Sequence, residues 1–241
     1  MTLSASFLHA IDSIVVCARL YCAKTRFCLF FVLMTGFLAG CSVVDKPTRA
    51  TLYDFGPDVL VSQPGVSPPA SVSAPALAPL AIADIVTPGG ALDNQAVLYR
   101  LGYQDAQQLR SYSLARWSMP PGQLLRQRLR ERLSQQRIVL TAREGVALNR
   151  SQNASLPMLR LELEEFSQLF SAPDASAGLI RLHATLVEIT PAGERLIAQR
   201  SVAVQRPATT GDSAGGVRAL TAATDAAIDE LDQWLRQFPV R

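Results

Sequence analysis

Leu159, Leu161 and Leu163 alternate strictly with Arg160, Glu162 and Glu164. Successive side chains of a strand point to opposite faces, so this stretch is a half-buried strand with a dry side and a wet side. Ile180, Leu182, Ala184 and Leu186 repeat the signature. After a turn at Thr190-Pro191-Ala192-Gly193, Arg195 to Val204 reads as the returning strand. The dry face of such a sheet must be covered, and two segments have the period to do it. Leu125, Leu129 and Leu133 recur every four residues among Arg126, Arg128, Arg130, Glu131 and Arg132, which predicts a helix over 120–136. Pro120-Pro121 suits its first turn and Ser118 is its candidate cap. Val217, Leu220, Ala227, Ile228, Leu231, Trp234 and Leu235 share one face of a second helix over 213–237. The expected fold class is α+β, or mixed α/β: a single domain with a mostly antiparallel sheet flanked by two main helices.

The remaining segments are shorter. Thr51 to Phe55 reads as a strand ending at Gly56-Pro57. Residues 56–76 hold five prolines, two glycines and several serines, a Pro/Ser-rich linker with little to pack. Leu77 to Val86 reads as a buried strand closed by Thr87-Pro88-Gly89-Gly90. Val97 to Leu101 alternates as a strand, with Leu109 to Tyr112 as its partner across a turn at 102–107. Arg137 to Thr141 is a short strand, and 143–156 reads as a loop. Cysteines stand at 17, 22, 28 and 41 only, so nothing from 42 onward forms a disulfide or a thiolate zinc site. Packing alone has to hold the domain.

The first forty residues are of another kind. Lys24 and Arg26 precede the apolar run Phe27 to Ala39, which is shorter than the 20 or so residues that span a bilayer. A positive flank, a short apolar core and small residues at its end make a secretory signal. Leu38-Ala39-Gly40-Cys41 also resembles the bacterial lipobox, in which the cysteine sulfur receives a diacylglycerol and becomes the new N-terminus. Residues 1–40 are then a lipoprotein signal peptide, and 41–50 a lipidated tether on Cys41. An uncleaved N-terminal anchor is the plainer alternative. Each buried methylene is worth about 0.8 kcal/mol, so one palmitate-length chain contributes roughly 12 kcal/mol at most. Ser42 follows the cysteine. Asp there retains many Gram-negative lipoproteins at the inner membrane, so Ser42 favours the outer membrane.

Motif chemistry is sparse. The chain has no GxxxxGK[ST] phosphate loop, no GxGxxG and no GxSxG elbow. Past the signal the single histidine, His183, falls on the polar side of its strand and reads as a solvated residue. Glu162, Glu164 and Glu165 resemble an acid/base pair only until the leucine alternation explains them as the wet side of a sheet. The arginines from Arg126 to Arg132 could bind phosphate or anionic headgroups, although a charged solvent face is the plainer reading. The formal charge is +3, and removing the net +2 of residues 1–40 leaves +1, too little for a nucleic-acid surface. No enzyme activity, metal or cofactor is expected.

Two stretches carry a resemblance. Tyr53-Asp54-Phe55-Gly56-Pro57 stands soon after the lipobox, and Val97 to Leu133 reads VLYRLGYQDAQQLRSYSLARWSMPPGQLLRQRLRERL. Together, through Tyr99-Arg100, Tyr112, Arg116-Trp117 and the Pro120-Pro121 helix start, they resemble the ABC-type transport auxiliary lipoprotein family. The resemblance is specific over 97–133 and weak over 142–175, and the insert at 56–76 departs from a compact form of the pattern. It implies a periplasmic auxiliary lipoprotein domain over 51–241, outside the cytoplasm. It implies a non-enzymatic, lipid-anchored subunit of an MCE-type lipid transport system that docks the periplasmic MCE assembly at the outer membrane. The implied partners are an MCE-domain protein with its ABC permease and ATPase, membrane lipid through Cys41, and further copies of the chain, since family members assemble into rings. Tyr99, Arg100, Tyr112, Arg116 and Trp117 are the candidate partner-binding residues, because aromatics and arginine concentrate at interface hot spots. Tyr99 and Trp117 are equally placed to be core residues, and Arg100 and Arg116 to pair with acids such as Asp105. The alternative function is a structural envelope lipoprotein that supports a cell-wall or secretion complex.

Overall fold

The structure is a computed structural model that describes residues 49–57, 77–152, 155–190 and 193–238. Cys41, the signal segment and residues 58–76 of the linker lie outside the described residues. Eight strands and three helices follow in the order β1 (Thr51–Tyr53), β2 (Leu77–Ile82), β3 (Ala96–Leu101), β4 (Asp105–Trp117), α1 (Pro121–Ser134), β5 (Arg137–Thr141), α2 (Ala142–Gln152), β6 (Leu156–Ala172), β7 (Ala175–Thr190), β8 (Gly193–Pro207) and α3 (Ser213–Leu235).

The leucine-patterned strands form the frame. β6, β7 and β8 are 17, 16 and 15 residues long and pair antiparallel over most of their length. The other edge of β6 is shared. β2 runs parallel along its first half, with the Ala83 and Val86 amides continuing that line to the Leu159 and Leu161 carbonyls at 3.0 Å each. β3 runs parallel along its second half. β5 extends the first branch in parallel. β4, antiparallel to β3, extends the second and carries the short parallel strand β1 at its edge. The sheet is therefore mixed.

A bulge in β6 decides which side chains meet the helices. Leu163 pairs with Leu182, but Arg181 pairs with Glu165, leaving Glu164 as the extra residue. Odd positions face the helices before it (Leu159, Leu161, Leu163), and even positions after it (Phe166, Gln168, Phe170). α1 contributes Leu124, Leu125, Leu129 and Leu133 to the covering layer, and α3 contributes Val217, Leu220, Ile228, Leu231 and Trp234. Burying each large apolar side chain is worth about 1.5–3 kcal/mol. α3 lies close to the sheet where β7 carries Gly178: a Cβ there would fall 2.4 Å from the Leu220 backbone nitrogen.

Two local expectations are corrected. Ser118 does not cap α1. The flanking residue is Pro120, without a side-chain cap bond, and the Ser118 amide donates to the Tyr53 carbonyl at 2.7 Å, tying β1 to the helix start. The segment expected as a loop over 143–156 is largely helix α2. Thr141 and Glu144 form its capping box: the carboxylate accepts from the Thr141 amide (2.7 Å) and hydroxyl (2.9 Å), and the Glu144 amide donates to Thr141 Oγ1 (3.3 Å). This helix covers the opposite face of the sheet, where Ala142 and Val146 pack on Ala81, Leu156, Met158, Val187 and Ile189.

Candidate functional site

The stretch 97–133 becomes β3, β4 and α1, and alternation, together with a register shift in β4 between Ser111 and Arg116, splits its marked residues between two faces. On the helix side, Tyr99 and Tyr112 are half-buried with ring centroids 4.6 Å apart, and Tyr99 meets Phe170 edge-on at 6.2 Å. The Tyr112 hydroxyl donates to Gln168 Oε1 at 2.8 Å, and Gln168, fully buried, passes the chain on to Ser176 Oγ at 2.8 Å. Burial first, then the Tyr99 phenol and the Asp212 carboxylate, push the Tyr112 hydroxyl up to about 12. Trp117 is 0 % exposed and stacks against Phe55 and Phe166, each at 5.6 Å. Its Nε1 has no hydrogen-bond partner among the described residues. These three aromatics are built into the packing between the sheet and the helices.

The two arginines face the other way. Arg100 forks onto Glu165 through Nε (3.2 Å) and Nη2 (3.0 Å), and its Nη1 donates to the carbonyls of Ala106 (3.2 Å) and Gln107 (3.1 Å). Ser167 Oγ adds a 2.6 Å bond to Glu165. The expected partner, Asp105, instead accepts the Gln107 amide at 2.9 Å. Glu165 thus shares a face of β6 with Glu162 but is not solvated there. It is buried beneath Arg100, and the bulge at Glu164 puts it there. Arg116 donates to the carbonyls of Tyr112 (3.0 Å) and Ala115 (3.3 Å) and sits across from Leu52 in the register of β1 and β4. Leu52 is 68 % exposed and Leu114, two residues along β4 from Arg116, is 52 % exposed. Leu52 and Arg116 therefore share one face of a sheet edge, with the exposed Leu114 two residues further along β4.

The helical arginines are not one solvated row. Arg128 is 4 % exposed and grips Asp225 of α3 through Nε (2.7 Å) and Nη2 (3.0 Å), with Nη1 on the Gly56 carbonyl at 3.3 Å. Arg132 pairs with Asp229 at 3.0 Å, and Arg137 of β5 with Asp232 at 3.2 Å. The acids at 225, 229 and 232 lie along one side of α3, so this row clamps α3 to α1 and β5. Where the chain leaves β1, Phe55, Met119, Leu124, Gln127, Glu131 and Gln135 line a groove of about 490 Å³ along α1. His183 Nδ1 lies 3.2 Å from Ser201 Oγ in an exposed contact. No described helix is long and apolar enough to cross a membrane.

Sequence reasoning took Glu165 for a solvated residue, and it missed Asp225, Leu52 and Leu114. A readable signal existed for Asp225 alone, in the acidic spacing Asp225, Asp229, Asp232 against the arginines of the other helix. Leu52 and Leu114 become informative only once their faces are known.

A family model described as the ABC-type transport auxiliary lipoprotein component matches residues 59–231. Among solved structures, a protein from Xanthomonas campestris is 19% identical, with a TM-score of 0.56 over 68% of this chain and 88% of that one. A second, uncharacterized protein is 12% identical, with a TM-score of 0.50 over 78% of this chain and 99% of its own. These two likenesses show the fold. No curated protein matches the chain.

Proposed function

This chain belongs to the ABC-type transport auxiliary lipoprotein family, and on that premise we propose that it is the lipid-anchored, non-enzymatic subunit that docks the periplasmic MCE assembly of a lipid transport system at the outer membrane. Association with an ABC-type transport system comes with the family. The MCE partner, the outer-membrane address and assembly into a homo-oligomer are part of the proposal. Cys41 is the proposed lipidation site, with 1–40 as the cleaved signal, 41–50 as the tether and 51–241 as the working domain.

The observation that carries the docking reading is the patch of Leu52, Leu114 and Arg116 on the β1–β4 edge. Large exposed apolar side chains beside an arginine are interface chemistry, and an edge strand offers unpaired backbone groups as well. Leu52 is eleven residues after Cys41, a reach of at most about 40 Å of extended chain. A partner that arrives at the lipidated surface would meet this patch close to the bilayer. Of the five candidate residues, Arg116 presents to that partner directly, Arg100 stiffens the hairpin behind it, and Tyr99, Tyr112 and Trp117 hold the hairpin against the helices.

The test is site-specific photocrosslinking in intact cells from positions 52, 114 and 116, with the captured protein identified by mass spectrometry. Capture of an MCE-domain protein is expected, together with loss of capture when Cys41→Ala releases the chain from the membrane. Capture of cell-wall synthases or secretion components alone would replace this reading with the structural one.

A further inference from the structure

Where β2 gives way to its following turn, and α1 passes the start of α2, lies a cavity of about 250 Å³ lined by Asp84, Arg126, Arg130, Thr141, Ala142 and Arg143. Two sources of positive potential converge on it. The first is the helical arginines that the α3 acids do not take. Arg128 and Arg132 turn toward α3, while Arg126 and Arg130, one turn apart on α1, turn into the cavity and meet Arg143 from α2. Asp84 pairs with Arg126. Three guanidinium groups thus share a small concavity with one lining carboxylate, a net charge of +2. Arg130 and Arg143 have no ion pair with a described carboxylate. Glu144, near enough to feel Arg130, is committed to the capping box and accepts from Thr141.

The second source is the N-terminal end of α2, an eleven-residue helix whose first residues line the cavity. A helix N-terminus carries partial positive charge. Guanidinium groups held together with so few counter-charges repel one another, and a tetrahedral oxyanion removes that repulsion while taking forked hydrogen bonds from each.

We propose that this cavity is a binding site for a phosphate group, carried either on a phospholipid headgroup or free in solution. The proposal does not rest on the docking reading, because its test needs only the purified chain.

Isothermal titration of the full chain in nonionic detergent, at low salt, would use three probes: inorganic phosphate, glycerophosphoglycerol as a soluble phosphodiester headgroup, and glycerol as the phosphate-free control. Saturable binding of at least one phosphate probe is expected, with none of glycerol. The pair Arg130→Gln/Arg143→Gln should weaken it about a hundredfold, about tenfold for each guanidinium removed from the anion. Arg110→Gln on β4, outside the cavity lining, should leave affinity unchanged. Tighter binding of the diester identifies a lipid headgroup as the source, and tighter binding of inorganic phosphate a free anion. Circular dichroism melting checks that the variants fold, and Arg143→Gln alone, at an exposed position, serves if the pair does not. Absence of saturable binding by both phosphate probes, or affinity unaltered by the arginine changes, overturns the proposal.

Discussion

The Arg128–Asp225 clamp predicts an asymmetry that counting ion pairs would miss. Arg128 is 4 % exposed and Asp225 is 31 % exposed. Removing the acid takes a forked carboxylate from a guanidinium held away from water, whereas removing the arginine leaves a carboxylate that water can reach. Breaking a buried pair from the side that leaves the deeper charge in place costs about 3–5 kcal/mol. Arg128 keeps the Gly56 carbonyl at 3.3 Å, so Asp225→Ala belongs at the low end, about 3 kcal/mol. Arg128→Met keeps an apolar stem in place and should cost about 1 kcal/mol. In a domain of this size each kcal/mol moves Tm by about 2–4 °C, so the two variants separate as roughly 6–12 °C against 2–4 °C. The double variant should resemble Arg128→Met, because the buried charge is gone. Thermal unfolding followed by fluorescence suits the measurement, since Trp117 and Trp234 are both buried. Equal losses from the two single variants, or a larger loss from Arg128→Met, would refute the reasoning that desolvation of the arginine governs the clamp.

Gly178→Ala places a methyl 2.4 Å from the Leu220 nitrogen and 2.5 Å from the Ala219 carbonyl carbon. Helix backbone cannot rotate away as a side chain does, so a loss of about 2 kcal/mol or more is expected in thermal melting. Tyr112 has a hydroxyl pushed up to about 12 in the folded chain, against about 10 in the unfolded one. Its contribution to stability is therefore complete below pH 10 and is lost as pH rises from there through 12. Tyr112→Phe should flatten that alkaline limb, as measured by urea unfolding across pH 9–12. Glu144 is held below its ordinary value of 4.5 by the Thr141 amide and hydroxyl. The cap is in place above that value and is lost as pH falls below it, so Glu144→Gln should flatten the acid dependence of amide exchange in α2.

The long elements were legible because one physical rule acted on them without competition. The leucine alternation at 159–163 and at 180–186 fixed β6 and β7, and the four-residue leucine repeat fixed α1. Helix α2 was missed through attention to its apolar residues, of which Val146 and Leu148 are few and unevenly spaced. Its signal was a start signal: Thr141-Ala142-Arg143-Glu144 has the Thr-x-x-Glu form of a capping box. The parallel pairings on the far edge of β6 were out of reach for a different reason. Each of β1, β2, β3 and β5 is six residues or fewer. Alternation in so short a strand says which side is dry, but not which neighbour it joins or in which direction.

The candidate site shows the same boundary between local and non-local information. That Tyr99, Arg100, Tyr112, Arg116 and Trp117 stand out is a property of the sequence. What Tyr99, Arg100 and Tyr112 do depends on β6, more than fifty residues away, and specifically on one extra residue there. The bulge at Glu164 turns Glu165 toward Arg100 and Gln168 toward Tyr112. Without it Glu165 would face the helices and Gln168 the other side. A buried carboxylate would then lie in the apolar layer, and Arg100 and the Tyr112 hydroxyl would both lose their partners. Deleting Glu164 should therefore damage the β3–β4 hairpin more than it damages β6 itself. Amide exchange resolved by strand would show β3 and β4 losing protection first, and uniform loss across all eight strands would mean that the bulge only sets a length.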